Sequence, residues 1–371
     1  MKNIFILLDA IKSKFKYIIR EEGFSIFIRR TFSFGLFYLK LFLYWNIFDK
    51  SHFSNIKNLH SGGRIFILGN GPSLNKTELY LLKNEQVLCS NRFMLMLERL
   101  DFVPQYYSCI DDRVLSTIST DIFNLSSKVQ YMFLPLIHPS SGKNFFKFYK
   151  NIKNVYWLIL SRFGYSLDLP YVGINKSVTN CSLQIAAFMG FSEIYLLGVD
   201  MDYDDHKSVT KENSRDWTSK KDDDPNHFDP RYFGKGTQYH HPRLDETFKK
   251  WEEAESFFEK KGVKIYNATV GGKLEIFERV KLKDVIGLND KEEMLLFLNK
   301  FGIQDYISNN LIDYFHDAVV IMSPAEFNLY NEKIIMDTET AIKLIPKQIF
   351  NYIPYGPIFN QYIFIRRGKT E

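Results

Sequence analysis

The sequence predicts an α/β protein: a Rossmann-like, doubly wound, mainly parallel sheet with a helical N-terminal leader and a small C-terminal appendage. Three observations predict it. Short β-type runs alternate with helical runs, the order that gives a parallel sheet with helices on its faces. The most regular stretch, residues 179–200, reads as helix, glycine, strand, glycine. Charge and composition change sharply near residue 60 and again near residue 290.

Taken in order, residues 64–68 (Arg-Ile-Phe-Ile-Leu) read as a buried strand ending at Gly69, 77–84 as a helix and 86–89 as a second strand. A third strand over 106–110 ends at Asp111 and Asp112, and 129–134 and 155–160 are further strands. The helix over 179–189 has apolar positions at Leu183, Ile185, Ala186, Ala187 and Phe188 and stops at Gly190; the strand over 194–197 stops at Gly198, Val199 and Asp200. Residues 202–242 are acidic, rich in Asp, Lys, His and Tyr, and lack periodicity, as a functional lid or a simply mobile segment does. A helix over 245–261 and a strand over 263–266 follow. No internal repeat appears. The expected domains are a leader at 1–60, a nucleotide-binding catalytic domain at 62–282 and an appendage at 290–371.

Charge restricts the partners. Residues 1–60 carry ten Lys/Arg against four acids, a net of +6, which leaves −1 on the other 311 residues of a chain whose net charge is +5. A nucleic-acid binder carries its basic surface on the folded domain, so no nucleic-acid partner is expected. The leader is also aromatic, notably from Phe32 to Phe48, and Lys40 interrupts it. That composition suits a helix lying in the lipid headgroup plane or one packing an aromatic face on the core. No run of about twenty apolar residues is present, so no membrane span is expected. Cys89, Cys109 and Cys181 form no CxxC pair, which excludes a disulfide framework and favours a reducing compartment. The expected location is cytoplasmic, peripheral at the inner face of the cell membrane.

The sharpest local signal is Gly69-Asn70-Gly71-Pro72-Ser73-Leu74, directly after the first strand. Gly69 and Gly71 allow a tight turn and close approach to a ligand, Pro72 can open a helix, and Ser73 can cap it. The unpaired N–H groups would then face an anion such as a nucleotide phosphate. The turn is neither a Walker A loop nor GxGxxG. Ligands of open α/β sheets bind beyond the carboxyl ends of the strands. Polar residues fall at several such ends: Asn70, then Ser90-Asn91-Arg92, then Asp111-Asp112, and Asp200, joined by Thr179 and Asn180 at the opening of a helix.

Asp200-Met201-Asp202 and Asp202-Tyr203-Asp204 both read DxD, an oxygen-only pattern that suits Mg²⁺ or Mn²⁺. In an Asp-rich loop that pattern arises by chance, and no metal site is assigned. Asp222-Asp223-Asp224 reads as a solvated loop. His227, His240 and His241 lie in or just after the long loop, and an imidazole there can take a proton from a sugar hydroxyl. Tyr232 and Tyr239 can donate to a departing phosphate or simply pack.

Gly69–Leu74, Ser90–Phe93 and the block 177–203 (SVTNCSLQIAAFMGFSEIYLLGVDMDY) resemble two related groups. One is the bacterial CMP-sialic acid sialyltransferases that decorate lipooligosaccharide. The other is the MptE-like (6-hydroxymethylpterin diphosphokinase-like) family, to which 227–236 and 265–279 are the more similar. The likeness spans roughly residues 62–282. The sialyltransferase resemblance implies that Gly69, Asn70, Gly71, Pro72 and Ser73 form the loop around the CMP phosphate. It puts Asn91 and Thr179 near the donor, Asp200 and Tyr203 on the cytidine side, and the base at His240 or His241. It implies no metal cofactor. Asp111, Asn180 and Tyr232 complete the expected site. The sequence departs from those enzymes at Asn180, where they favour a small residue, and in the content of residues 200–240.

The expected activity is glycosyl transfer from a CMP-activated sialic acid or related nonulosonate to a bacterial surface glycan or glycolipid of lipopolysaccharide or capsule type. The first alternative, implied by the MptE-like resemblance, is an Mg²⁺-dependent 6-hydroxymethylpterin diphosphokinase with Asp111, Asp112 or Asp200 as carboxylates. The second is a nucleotide-binding protein without turnover. A basic aromatic leader has no use in making a soluble pterin and suits a lipid-linked acceptor, which favours the first activity.

Overall fold

A computed structural model describes residues 51–287 apart from Arg162, Phe163, Asp205, Ser214 and Arg215, together with Gly35, Leu39 and two paired strands at Val319–Met322 and Tyr362–Ile365. The aromatic stretch of the leader and most of the appendage expected at 290–371 lie outside the described residues.

Nine strands form one parallel sheet: β1 (Arg64–Leu68), β2 (Val87–Ser90), β3 (Tyr106–Ser108), β4 (Tyr131–Pro135), β5 (Val155–Ser161), β6 (Tyr171–Gly173), β7 (Glu193–Leu197), β11 (Lys264–Asn267) and β12 (Glu278–Arg279). Their spatial order is β12-β11-β7-β1-β2-β3-β4-β5-β6. The chain builds outward from β1 to β6, then returns to place β7 on the other side of β1 and continues outward through β11 and β12. The order therefore reverses between β1 and β7, which pair in register from Arg64↔Glu193 to Leu68↔Leu197.

The strands form here because their residues can be buried on both sides, as a sheet sandwiched by helices requires. Alternate β1 residues feed different cores: Phe66 and Leu68 join one, Ile65 and Ile67 the other. The first core is covered by α2 (Met94–Leu97), α3 (Asp112–Thr117), α4 (Ser119–Ser126), α5 (Phe146–Tyr149) and α8 (Leu282–Ile286). The second is covered by α1 (Ser51–Ile56), α6 (Val178–Phe188) and α7 (Leu244–Glu259). Helices on both faces make the sheet doubly wound, as expected. Phe53 and Ile56 of α1 are buried in the second core, and residues 58–62 are hydrogen-bonded to residues 188–190. The chain preceding the sheet is thus part of its packing from residue 51 onward.

Two elements differ from expectation. In place of a helix over 77–84 there are two 3₁₀ segments, Pro72–Lys76 and Leu79–Leu82. Thr77 is extended between them, and Leu79, Tyr80, Leu81 and Leu82 are all buried. A surface helix turns part of every four consecutive residues to solvent, so four buried neighbours favour the tighter form. The irregular lid expected over 202–242 contains a three-stranded antiparallel sheet, β8 (Val209–Lys211), β9 (Asp216–Ser219) and β10 (Gln238–His240), in the order β10-β9-β8. Its apolar support comes from Trp217, Tyr239, Val209 and Phe233, residues too scattered to produce a strand signal.

Candidate functional site

The reversal between β1 and β7 brings two turns together. A Cβ on Gly69 would stand 2.2 Å from the Gly198 carbonyl oxygen, and one on Gly71 would stand 1.7 Å from Asp200 Oδ2. Neither position has room for a side chain. The donors of Gly69, Gly71 and Ser73 bond within the protein. Gly69 N–H donates to Leu197 O at 2.7 Å and Gly71 N–H to Gly198 O at 2.9 Å. Ser73 donates both its N–H (3.2 Å) and its hydroxyl (2.8 Å) to the Asp200 carboxylate. Burial raises the Asp200 pKa, and the two Ser73 bonds oppose that rise without cancelling it.

Three backbone donors of the expected phosphate loop, those of Gly69, Gly71 and Ser73, are therefore satisfied from within. The glycines are required by contact with β7's exit turn, and the anion at the opening of the 72–76 segment is the protein's own Asp200. Ser73 is buried and Pro72 opens the 3₁₀ segment; neither borders the cleft beyond the strand ends. Asn180 does not border it either: it is fully buried, and its Nδ2 donates to Asn175 O at 3.0 Å, holding the loop before α6.

The cleft has a volume of about 680 Å³, within the range of small-molecule sites. Gly69, Asn70, Gly71, Asn91, Asp111, Thr179, Asp200, Tyr203, Tyr232, His240 and His241 all border it, so the tertiary structure brings these sequence-separated residues together. Asn70 Nδ2 donates to Ser90 Oγ (3.2 Å). Asn91 sits at φ +54°, and its carbonyl accepts from the Tyr107 hydroxyl at 2.7 Å. Asp111 caps α3, accepting from the N–H groups of Arg113 (2.8 Å) and Val114 (3.1 Å). At α6 the Ser177 hydroxyl accepts from Thr179 N–H, and Lys176, Ser177, Val178 and Thr179 face the cleft. The first turn of this helix, unlike that of the 72–76 segment, opens into the cavity.

Three histidines of the 202–242 region and its exit reach the cleft. His240 Nδ1 lies 2.8 Å from Asp216 Oδ1, and Arg113 Nη2 bonds the same oxygen at 2.7 Å. Hydrogen bonding from Asn213, then the charges of Arg113 and His240, holds the Asp216 carboxyl below its ordinary pKa. His241 instead lays its ring on Trp217, with centroids 4.0 Å apart. His227 forms a third arrangement. Its Nδ1 is 2.8 Å from the buried Asp224 Oδ2, its ring stacks on Tyr232 at 3.9 Å, and its Nε2 lies 3.4 Å from the Tyr203 hydroxyl. Burial works to raise the Asp224 pKa, but the His227 bond and N–H donation from Asn226 and Phe233 bring it below the ordinary value.

The run 222–224 is therefore not simply solvated. Asp224 is buried, Asp223 pairs with His206 (2.8 Å) and Asp222 accepts from Lys235 N–H (2.7 Å). The roles of Asp216, Arg113 and Asp224 escaped sequence reasoning because each depends on a partner brought close only by the fold. Asp224, three residues before His227, was the one partner that spacing alone could flag.

Asp111, Asp112, Asp200 and Asp202 also border the cleft. Among the described residues no group of three or more His, Cys, Asp or Glu side chains is arranged to hold a metal ion. Lys273 Nζ pairs with Asp202 at 2.7 Å, so both members of the first DxD already have partners. Among the described residues no helix is long and apolar enough to cross a membrane.

The family model described as 6-hydroxymethylpterin diphosphokinase MptE-like matches residues 44–206. That match takes in the Gly69–Ser73 turn, α6 and Asp200, and ends before all three cleft histidines of the later segment. No curated protein matches the chain. Among solved structures the chain is similar to the MAf glycosyltransferase from Magnetospirillum magneticum AMB-1, with 13% identity and a TM-score of 0.38. The similarity covers 67% of this chain and 38% of that one, so this chain spans well under half the length of that protein. The sequence match to the MptE-like model thus covers the β1–β7 framework and the near wall of the cleft.

Proposed function

We propose that the protein is a transferase acting on a nucleotide-activated sugar, with a CMP-activated nonulosonate as donor and a bacterial surface glycan as acceptor. The observation that carries the reading is the His240–Asp216 pair on the wall of a nucleotide-sized cleft at the β1/β7 reversal. Asp216 Oδ1 neighbours Nδ1 as a negative charge and not as an aligned hydrogen-bond acceptor, and that charge favours a proton on Nδ1, leaving Nε2 to accept one. In the proposed step the acceptor hydroxyl attacks the anomeric carbon, its proton passes to His240 Nε2, and the bond to the CMP phosphate oxygen breaks. The departing phosphate is best served by the first turn of α6, whose dipole favours an anion; Lys176 beside it is paired with Glu246. The Gly69–Gly71 turn shapes the cavity, with the N–H groups of both glycines bonded to the β7 exit. His241, packed on Trp217, is the less suited of the two expected bases.

The second reading, diphosphate transfer from ATP to a pterin, is favoured by the description of the matching family model. It requires Mg²⁺ to bridge the phosphates. Two of the three expected carboxylates are already engaged, Asp111 at the α3 terminus and Asp200 with Ser73, and Asp112 lies 3.6 Å from His138 Nδ1. Thermal-shift measurements with CMP, CDP, UDP and ATP, each with and without Mg²⁺, separate the two readings. Stabilisation by CMP without metal is expected. Stabilisation by ATP alone and only with Mg²⁺ would overturn the glycosyl-transfer reading.

A further inference from the structure

On the face of the sheet covered by α4 and α5, two aromatic rings stand in solvent. Phe148 is 68% exposed and Phe123 47% exposed, and Phe148 is the most exposed large apolar side chain among the described residues. The two rings flank one buried ring, Tyr149, at centroid distances of 6.4 and 5.7 Å, and so share one patch. The local packing explains their neighbours but not them. Phe145 stacks on Tyr149, and Phe146 packs edge-on against Trp157 at 5.2 Å. In α4, Ile122 and Leu125 are the buried residues. A single exposed Phe is ordinary; two around one buried ring form a surface.

The stretch of chain that carries both rings is predominantly basic. Residues 119–154 contain Lys128, Lys143, Lys147, Lys150 and Lys153, all exposed, and a single acid, Asp121, for a net of +4. Residues 51–287 as a whole hold 31 Lys/Arg and 28 Asp/Glu, so the remainder of the unit is net −1. The basic excess of the folded unit is thus concentrated where its most exposed aromatic ring lies. The loop closed by the Ile137–Asn144 bridge, which leads directly into α5 and Phe148, contributes His138, Ser140 and Ser141 to the cleft wall.

We propose that this patch docks on an anionic lipid surface. Phe123 and Phe148 enter the headgroup region while the lysines meet lipid phosphates, which sets the mouth of the cleft beside the bilayer. Exposed aromatic rings surrounded by lysine are what such an interface recognises. Charge also opposes the leader as the occupant, since residues 1–60 are net +6 and would be repelled. The inference does not depend on which donor the cleft takes.

The test uses the full chain with Phe148→Cys labelled by an environment-sensitive fluorophore. The native cysteines, Cys89, Cys109 and Cys181, are all buried and leave position 148 as the labelling site. A control label replaces exposed Glu252, on α7 across the sheet. With vesicles of phosphatidylcholine containing phosphatidylglycerol, the label at 148 is expected to shift to the blue, while the label at 252 does not. Pure phosphatidylcholine should leave both unchanged. Lys147→Glu/Lys150→Glu is expected to raise the lipid concentration needed for half the shift by roughly tenfold, with unchanged thermal unfolding. The proposal is overturned if the protein co-sediments with the vesicles and position 148 does not respond. It is equally overturned if nothing binds, or if the shift occurs without lipid as the protein concentration rises, which would make the partner a second copy.

Discussion

Asp200, at the exit of β7, takes two hydrogen bonds from Ser73, at the exit of β1, across the line where the strand order reverses. The contact joins the two halves of the sheet at the cleft and leaves no space for a side chain at Gly71. A half-buried carboxylate here is tolerated because Ser73 supplies both an N–H and an O–H, which offset much of its desolvation. The same contact removes the 72–76 segment from the set of free anion sites.

Gly71→Ala is expected to destabilise the fold by about 1–3 kcal/mol, the cost of forcing a group into a filled space. Adding Asp200→Gly should recover part of the loss, because the contact displaced by the methyl is then gone. Urea denaturation of the two single variants and the double variant measures the coupling. Additive effects would mean that the new methyl meets something other than the Asp200 carboxylate.

His240→Ala is expected to lower transfer by about 10²–10⁴-fold while leaving CMP affinity within a few-fold, as loss of a general base does. His241→Ala should act mainly on stability, through lost packing on Trp217. Asp216→Asn should fall between them, because it disturbs the His240 tautomer and also releases Arg113. Rate and nucleotide affinity measured side by side decide the assignment. Full transfer by the His240 variant removes it from the mechanism.

Asp224 makes a pH prediction of definite sign. Its pKa in the folded protein lies below the unfolded value of 3.8. The stability it contributes is therefore fully present above that value and is lost as pH falls through the folded pKa. Asp224→Asn should lower stability at pH 7, and the deficit relative to wild type should shrink as the solution is taken below pH 3.8. Thermal unfolding of both proteins across the acid range tests this; a constant difference would assign the loss to packing alone.

Asp229 anchors the far side of the cleft. Its carboxylate accepts from Arg99 (2.7 Å) and Arg231 (2.9 Å), and the adjoining Phe228 N–H donates to Asn70 O at 3.0 Å. Asp229→Ala leaves both arginines without that partner, at an expected cost of about 1–3 kcal/mol. Because Phe228 ties this loop to the Gly69–Gly71 turn, nucleotide affinity should weaken along with the melting temperature. Calorimetry alongside a thermal-shift assay shows whether the two move together.

The β1 and β7 strands were legible because runs such as Ile-Phe-Ile-Leu and Ile-Tyr-Leu-Leu, each ending at glycine, admit few other structures. The α6 helix and its stop at Gly190 were legible for the same reason. The 3₁₀ segment at Leu79–Leu82 was not, since an apolar run says nothing of how many of its faces the fold will cover. Nor was the small sheet around Trp217 and Tyr239, whose strands are three or four residues long and largely polar. Among the histidines, the residues singled out His227, His240 and His241 together, the resemblance preferred the last two, and neither could choose between those.

Local pattern thus determined the alternation of strands and helices, the tight turn at Gly69–Gly71 and the gathering of polar residues at the strand ends. These depend on neighbours within a few positions along the chain. Only the tertiary structure decided that Ser73 answers Asp200 and that His240 meets Asp216 while His241 meets Trp217. It alone decided that the first turn of α6, unlike that of the 72–76 segment, opens into the cleft. Hydrogen bonds and buried charges are set by distances of about 3 Å between residues far apart in sequence, and no local pattern encodes those distances.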